Sequence, residues 1–98
     1  MKVLITGSSG FVGSRLVQHF HAQGYIVKGL ERVRSRRSEN YCEALCIDLC
    51  DARTLSPDKY EIVIHCAAAK GDWNISDKEF YDDNVVATKN LLDYVRKC

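Results

Sequence analysis

Three glycines, Gly7, Gly10 and Gly13, set between a short apolar run and a helical pattern, constrain this chain more than any other feature. Lys2-Val3-Leu4-Ile5 leads in as a strand, and Ser14-Arg15-Leu16-Val17-Gln18-His19-Phe20 leads out as a helix. A strand that bends straight into a helix needs a residue without a Cβ at the bend, the place of Gly7. Gly13 lets the helix pack close to the strand, and Gly10 lets another molecule approach the backbone. The first N–H groups of a helix lack intrahelical partners and lie at the positive end of its dipole. Ser9, Gly10, Phe11 and Val12 therefore offer a backbone surface suited to a phosphate. The spacing is G-x-x-G-x-x-G, where the common dinucleotide fingerprint has G-x-G-x-x-G. Three spaced glycines alone are a weak signal, and the other reading is an ordinary glycine-rich strand-to-helix turn; the flanking strand and helix favour the phosphate-binding one.

A chain of 98 residues makes one small domain or part of a larger one. A formal net charge of +1 argues against nucleic acid or a membrane surface as the main partner. No apolar run approaches the roughly 20 residues of a spanning helix, and the N-terminal run is too short for a signal-peptide core. A cytoplasmic location is the expectation. The five cysteines, an odd number without a secretion signal, do not suggest disulfides. Cys42, Cys46 and Cys50 recur every fourth residue, but the segment around Cys46 reads as a strand. Four strand residues span about 13 Å, whereas thiolates sharing one zinc each lie about 2.3 Å from it. No metal site is expected.

The pattern predicts strands over residues 2–6, 25–31, 43–48 and 61–66, and helices over 11–23 and from 77 onward. Residues 52–59, with the one proline, read as a short helix or turn. The expected buried stripes are Val12, Leu16, Val17 and Phe20 on the first helix. On the last they are Val85, Thr88, Leu91, Leu92 and Val95. Gly24 stands where a left-handed residue ends a helix. Ile62-Val63-Ile64 is apolar without alternation, as in a strand covered on both faces. Strands alternating with helices or crossovers predict a parallel, doubly wound Rossmann-type sheet, incomplete, in the order 3-2-1-4.

Glu31 lies at the tip of the second strand, where an acid can accept hydrogen bonds from adenosine ribose hydroxyls and repel a 2′-phosphate. It favours NAD. Arg32 pulls toward NADP, since a guanidinium fork suits phosphate. The basic loop Arg32-Val33-Arg34-Ser35-Arg36-Arg37-Ser38 is either a solvated loop or the rim of an anionic ligand.

Thr6-Gly7-x-x-Gly10-x-x-Gly13, Asp48-Leu49-x-Asp51, His65-Cys66-Ala67-Ala68 and Asn84-Val85-x-Ala87-Thr88-x-Asn90-Leu91-Leu92 together resemble the extended short-chain dehydrogenase/reductases, the NAD-dependent epimerase/dehydratases. The likeness covers nearly the whole chain, with Ala87 where that family commonly has glycine. It implies that Asp48 accepts a hydrogen bond from the adenine amino group, with the Leu49 backbone beside it. It implies that Ala67, Ala68 and Ala69 run along the cofactor and that Asn84 helps order an active site. His65 reads as a satisfied strand-end histidine rather than a catalytic one. The resemblance also implies a small-molecule substrate, a nucleotide sugar or another carbonyl or hydroxyl compound, and a homodimeric complete protein.

The chemistry of that family uses a Ser or Thr with a Tyr-x-x-x-Lys pair, in which the tyrosine exchanges a proton with the substrate. Gly29, Leu45, Ile64, Val85 and Cys98 stand four residues after Tyr25, Tyr41, Tyr60, Tyr81 and Tyr94, so the pair is absent from these residues. The expectation is an N-terminal NAD(P)-binding portion, residues 1–98, of a longer enzyme whose catalytic and substrate-binding part lies beyond. The alternative is a non-catalytic dinucleotide-binding or interaction module.

Overall fold

In the computed structural model the described residues are 1–8, 10–31, 43–46, 58–67 and 76–98, with the backbone alone for 43–46, 80 and 83. Strand β1 (Lys2–Thr6) passes through the glycine turn into helix α1 (Phe11–Ala22), which returns to strand β2 (Ile26–Glu31). Strand β3 (Glu43–Cys46) and strand β4 (Ile62–His65) follow. The last helical segment is α2 (Asp77–Tyr81), a π-helical turn Asp82–Val86 and α3 (Ala87–Arg96). The strands form one parallel sheet in the order β3-β2-β1-β4, as the sequence pattern predicts. Registers run from Lys2↔Ile26 to Thr6↔Leu30, and from Val3↔Ile62 to Thr6↔His65.

Alternation along the strands builds a core on each face of the sheet. Val3, Ile5 and Val27 point to one side and bury against Val17 of α1, with Leu16, Phe20, Ile62 and Ile64 packed around them. Leu4 and Leu30 point to the other side, against Ala87, Leu91 and Tyr94 of α3, with Val63 and Val95 alongside. The unalternating apolar run of β4 thus has an apolar partner on each side, as a strand of a doubly wound sheet requires. Gly24, at φ +85°, and a neighbouring bond from its N–H to the His21 carbonyl close α1.

Both expected helix stripes need correction. Val12 is 59% exposed, because it lies in the first turn of α1, at the rim of the sheet; the buried face is Gly13, Ser14 and Val17. Val85 and Leu92 are also exposed, and the buried face of α3 is Ala87, Leu91 and Tyr94. The π turn puts an additional residue into one turn, so positions before and after it lose their common 3.6-residue phase. Element ends differ by one or two residues: α1 ends at Ala22, β2 starts at Ile26, and β4 covers Ile62–His65. Of the predicted short helix or turn at 52–59, residues 52–57 lie outside the described residues, as do Cys42 and Cys50.

Ser76 caps α2, its hydroxyl accepting the Glu79 N–H at 3.2 Å. The Ser76-x-x-Glu79 pattern is that of a capping box. At the amino ends of the strands, the Lys2 N–H donates to Glu61 at 2.6 Å and the Lys2 ammonium to Asp58 at 2.7 Å.

Candidate functional site

The chain order 3-2-1-4 reverses direction between β1 and β4, and in such a sheet the carboxyl ends of the strands on either side of the reversal form the natural crevice. The glycine turn sits there. Gly7 has φ +67°, and a Cβ on it would lie 2.8 Å from the Ala67 nitrogen and 2.9 Å from the Cys66 carbonyl carbon. A Cβ on Gly13 would lie 2.0 Å from the Gly7 oxygen. These two glycines are demanded by the fold itself. Backbone bonds hold the turn: Gly7 N–H to the Leu30 carbonyl at 2.7 Å, and Gly10 N–H to the Gly7 carbonyl at 3.0 Å.

Gly10 differs from both. It caps α1 with φ −75° and ψ 174°, a conformation open to any residue, and makes no side-chain cap. A Cβ there would have one close neighbour, the Gly7 oxygen at 3.3 Å. Serine, threonine, aspartate or asparagine is preferred at such a position because its side chain satisfies an orphan N–H. The first turn of α1 also holds no acid. Gly10, Phe11 and Val12 are exposed, so the positive end of the helix is open at this rim.

Beneath the turn, Glu31 is 3% exposed. Its Oε2 accepts the hydroxyl of buried Ser8 at 3.2 Å. Its Oε1 has no hydrogen-bond partner among the described residues. A buried carboxylate oxygen left without a donor is costly, and folded proteins retain few such atoms. Ser8 was not singled out in the sequence, where only Ser9 of the two turn serines is assigned to the phosphate-facing backbone. Its signal is its register: it is the residue facing the end of β2 once β1 and β2 pair in parallel.

On the other side of β1, Thr6 Oγ1 accepts the N–H groups of Cys66 at 3.1 Å and Ala67 at 3.2 Å. This brings the residues after β4 against the glycine turn. His65 bridges Thr6 and Thr88, both ring nitrogens hydrogen-bonded, in keeping with a satisfied strand-end histidine. Partial burial lowers the His65 pKa from its ordinary value and raises that of the Cys66 thiol. Asn84 lies half-buried in the π turn, and its carbonyl accepts the Thr88 hydroxyl at 2.5 Å. π turns interrupt the regular helix ladder and are frequent at functional sites. Of the predicted site residues, the structure thus gathers Gly7, Gly10, Phe11, Val12, Gly13, Glu31 and Ala67 at one edge, with Asn84 linked to it through Thr88 and His65. Ser9, Arg32, Asp48, Leu49, Ala68 and Ala69 lie outside the described residues.

Residues 3–98 match the model of the NAD dependent epimerase/dehydratase family. A UDP-glucose 4-epimerase of Mycolicibacterium smegmatis is 35% identical over 114 residues, covering 98% of this chain and 35% of that protein. A UDP-glucose 4-epimerase of Pisum sativum is 29% identical, over 98% of this chain and 33% of that one. Among solved structures, a UDP-galactose 4-epimerase superposes with a TM-score of 0.85 at 29% identity, covering 98% of this chain and 34% of its own. The Thermus thermophilus UDP-glucose 4-epimerase, in complex with NAD, superposes with a TM-score of 0.81 at 28% identity, over 98% of this chain and 34% of its own. The chain spans about a third of the length of the curated relatives it matches. Among the described residues, no helix is long and apolar enough to cross a membrane.

Proposed function

Since the chain belongs to the NAD dependent epimerase/dehydratase family, we propose that it is the N-terminal, NAD-binding portion of an epimerase, dehydratase or reductase. The substrate class we assign is a nucleotide sugar or another carbonyl or hydroxyl compound. The catalytic and substrate-binding part, including a Tyr-x-x-x-Lys pair, then lies outside these residues.

The observation that carries this reading is the buried Glu31 Oε1, which has no donor among the described residues. A ribose diol brings two hydroxyl donors, and a carboxylate that keeps one oxygen on Ser8 has the other ready for them. The remaining residues fit the same ligand. The unsubstituted Gly10 and the open N–H groups at Phe11 and Val12 suit a pyrophosphate. Ser9 continues that backbone surface, and the small Ala67, Ala68 and Ala69 suit a chain that runs beside a cofactor. Asp48 and Leu49 are assigned to the adenine, and Arg32 to the outer rim. NAD, when bound, supplies a hydride acceptor and donor. The residues of this chain bind and orient it; Asn84 is assigned to ordering the reaction site. The exposed Tyr81, Val85 and Leu92 suit burial against a second subunit, and we assign the complete protein a homodimeric state.

The test is calorimetric titration of the intact protein with NAD and NADP. Glu31→Ala is expected to weaken NAD binding by roughly 10- to 100-fold, the range of a hydrogen bond to a charged group, and to move the NADP:NAD affinity ratio toward NADP. Glu31→Gln, which keeps the shape, separates charge from packing. A ratio that stays put in both variants would show that Glu31 does not read the ribose. Residues 1–98 alone are expected to give no substrate-dependent change in NADH absorbance. An in-frame Tyr-x-x-x-Lys downstream of Cys98 favours the enzyme, and a stop codon there favours a non-catalytic module.

A further inference from the structure

The imidazole of His65 lies between two hydroxyls, and each dictates the same position for its proton. On β1, Thr6 Oγ1 accepts the Ala67 N–H at 3.2 Å and the Cys66 N–H at 3.1 Å, the latter shared with the Thr6 carbonyl at 3.2 Å. Both lone pairs of that hydroxyl are engaged, and its single proton is directed to His65 Nδ1, 2.6 Å away. On the helical side, the Thr88 hydroxyl spends its proton on the Asn84 carbonyl at 2.5 Å. Thr88 Oγ1 therefore meets His65 Nε2, at 2.9 Å, as an acceptor. Nδ1 must accept and Nε2 must donate, which is the neutral ring with its proton on Nε2. An imidazolium would point a second N–H at a Thr6 oxygen with no lone pair to spare.

We infer that His65 is a positioning residue whose neutral Nε2–H tautomer joins Thr6 of the glycine turn, the backbone after β4 and the π turn carrying Asn84 into one directional hydrogen-bond chain. Protonating the ring uncouples them. The Ala67 nitrogen on this chain is the atom that a Cβ on Gly7 would strike at 2.8 Å, so a shift at His65 reaches the glycine turn directly. Among the described residues, the groups that meet the ring nitrogens from β1 and from the last helix are the neutral hydroxyls of Thr6 and Thr88. Its titratable neighbour along the strand is Cys66, whose thiol is pushed up by burial and stays uncharged. Partial burial lowers the pKa of His65, the direction that the hydrogen-bond chain also requires. The folded ring binds its proton less readily than the unfolded one. Its stabilising contribution is therefore complete above the ordinary value of 6.5 and is lost as pH falls from there toward the lowered folded value.

The experiment records long-range proton–nitrogen spectra of the intact protein labelled with nitrogen-15 histidine. The His65 signals are identified by their loss in His65→Asn, or by their shift in Thr88→Val should the first variant not fold. At neutral pH a single Nε2–H tautomer is expected, titrating below 6.5. A dominant Nδ1–H form, a mixture of tautomers, or titration at or above 6.5 would overturn the inference. Thr88→Val removes an acceptor that Nε2–H uses in both charge states, more strongly in the imidazolium, so the titration is expected to stay below 6.5, and a rise to 6.5 or above would overturn the inference. Melting temperatures between about pH 7.5 and about pH 5.5 should fall more steeply for the unaltered protein than for His65→Asn, and parallel curves would contradict the coupling. The effect on NAD rests on the proposed function: His65→Asn should weaken NAD binding severalfold. Absence of NAD binding by the unaltered protein would sink that function and leave the tautomer result standing.

Discussion

The two ends of the sheet are built by the same strands, yet their polar groups obey opposite rules. At the amino ends, Lys2 and Lys28 meet Asp58, and the Lys2 N–H meets Glu61, all at least partly open to water. Such ion pairs cost little to form and contribute little, because water serves each partner nearly as well. At the carboxyl ends, Thr6, Ser8 and Glu31 are buried. Water cannot reach them, so each must be satisfied by its neighbours or by a molecule that arrives. Among the described residues, Thr6 is satisfied fully, and Glu31 on one oxygen alone. An unfilled acceptor says nothing at an exposed edge and a great deal at a buried one. Among the described residues, the carboxyl end holds the buried, unfilled acceptor, and the amino end is a solvated rim.

The sharpest way to break this contrast is to fill the turn. Gly13→Ala would set a methyl 2.0 Å from the Gly7 oxygen, and Gly7→Ala would add a left-handed backbone penalty to its clash with the Ala67 nitrogen. Each is expected to lower the unfolding free energy by about 3 kcal/mol or more, from overpacking and left-handed strain. Urea denaturation of the intact protein measures it. A loss below about 1 kcal/mol would mean that the turn gives way easily and is not held as described.

Gly10→Val comes next and separates ligand from fold. The conformation at Gly10 admits a side chain, and its one close neighbour is the Gly7 oxygen at 3.3 Å. Stability should change by less than about 1 kcal/mol, within the range of cap substitutions, and far-UV circular dichroism should hardly move. NAD affinity should fall by about 100-fold or more, roughly 2.7 kcal/mol. Undiminished affinity by calorimetry would show that no ligand passes close to Gly10.

Asp58→Asn tests the amino end and should matter least. At neutral pH and physiological salt, neither the melting temperature nor NAD binding should change measurably. The hydrogen bond from Lys2 holds the Asp58 carboxyl below its ordinary value of 3.8. Its contribution is present above that pH and lost as acid protonates the folded group, so the variant should flatten only the acid limb of a stability profile. A marked loss of NAD binding in this variant would erase the distinction between the two ends.

Much of this was legible in the residues. Periodicity located every strand of the sheet, because an apolar run of four or five residues between turn formers has few alternatives. The helix stripes were less legible. Val12 fits the period of α1 but lies at the rim, with no sheet beneath it. Val85 fits an unbroken helix, and the π turn at Asp82–Val86 shifts that phase, whereas Leu92 lies about 100° round α3 from Leu91 and falls off the face that Ala87, Leu91 and Tyr94 bury. Among the candidate site residues, Glu31 was singled out from its place at the tip of β2. Ser8, Thr6 and Thr88 were not assigned partners, because a hydroxyl carries no periodic signal and finds its partner through register.

The strand-to-helix turn, the positions needing glycine, the acid at the tip of β2 and the parallel order of the sheet could all be read from the residues in chain order. These follow from local sterics and from the period of apolar residues, which act within a few positions of one another. The packing of the folded chain adds what each glycine would strike: a Cβ on Gly7 or Gly13 runs into backbone, whereas one on Gly10 has a single close neighbour at 3.3 Å. Only the tertiary structure decided that Ser8 takes one oxygen of Glu31 and leaves the other, and that His65 carries its proton on Nε2. Those facts depend on which atoms meet across parallel strands 23 to 60 residues apart in the chain, and hydrogen-bond satisfaction in a buried space is settled by that meeting rather than by any residue alone.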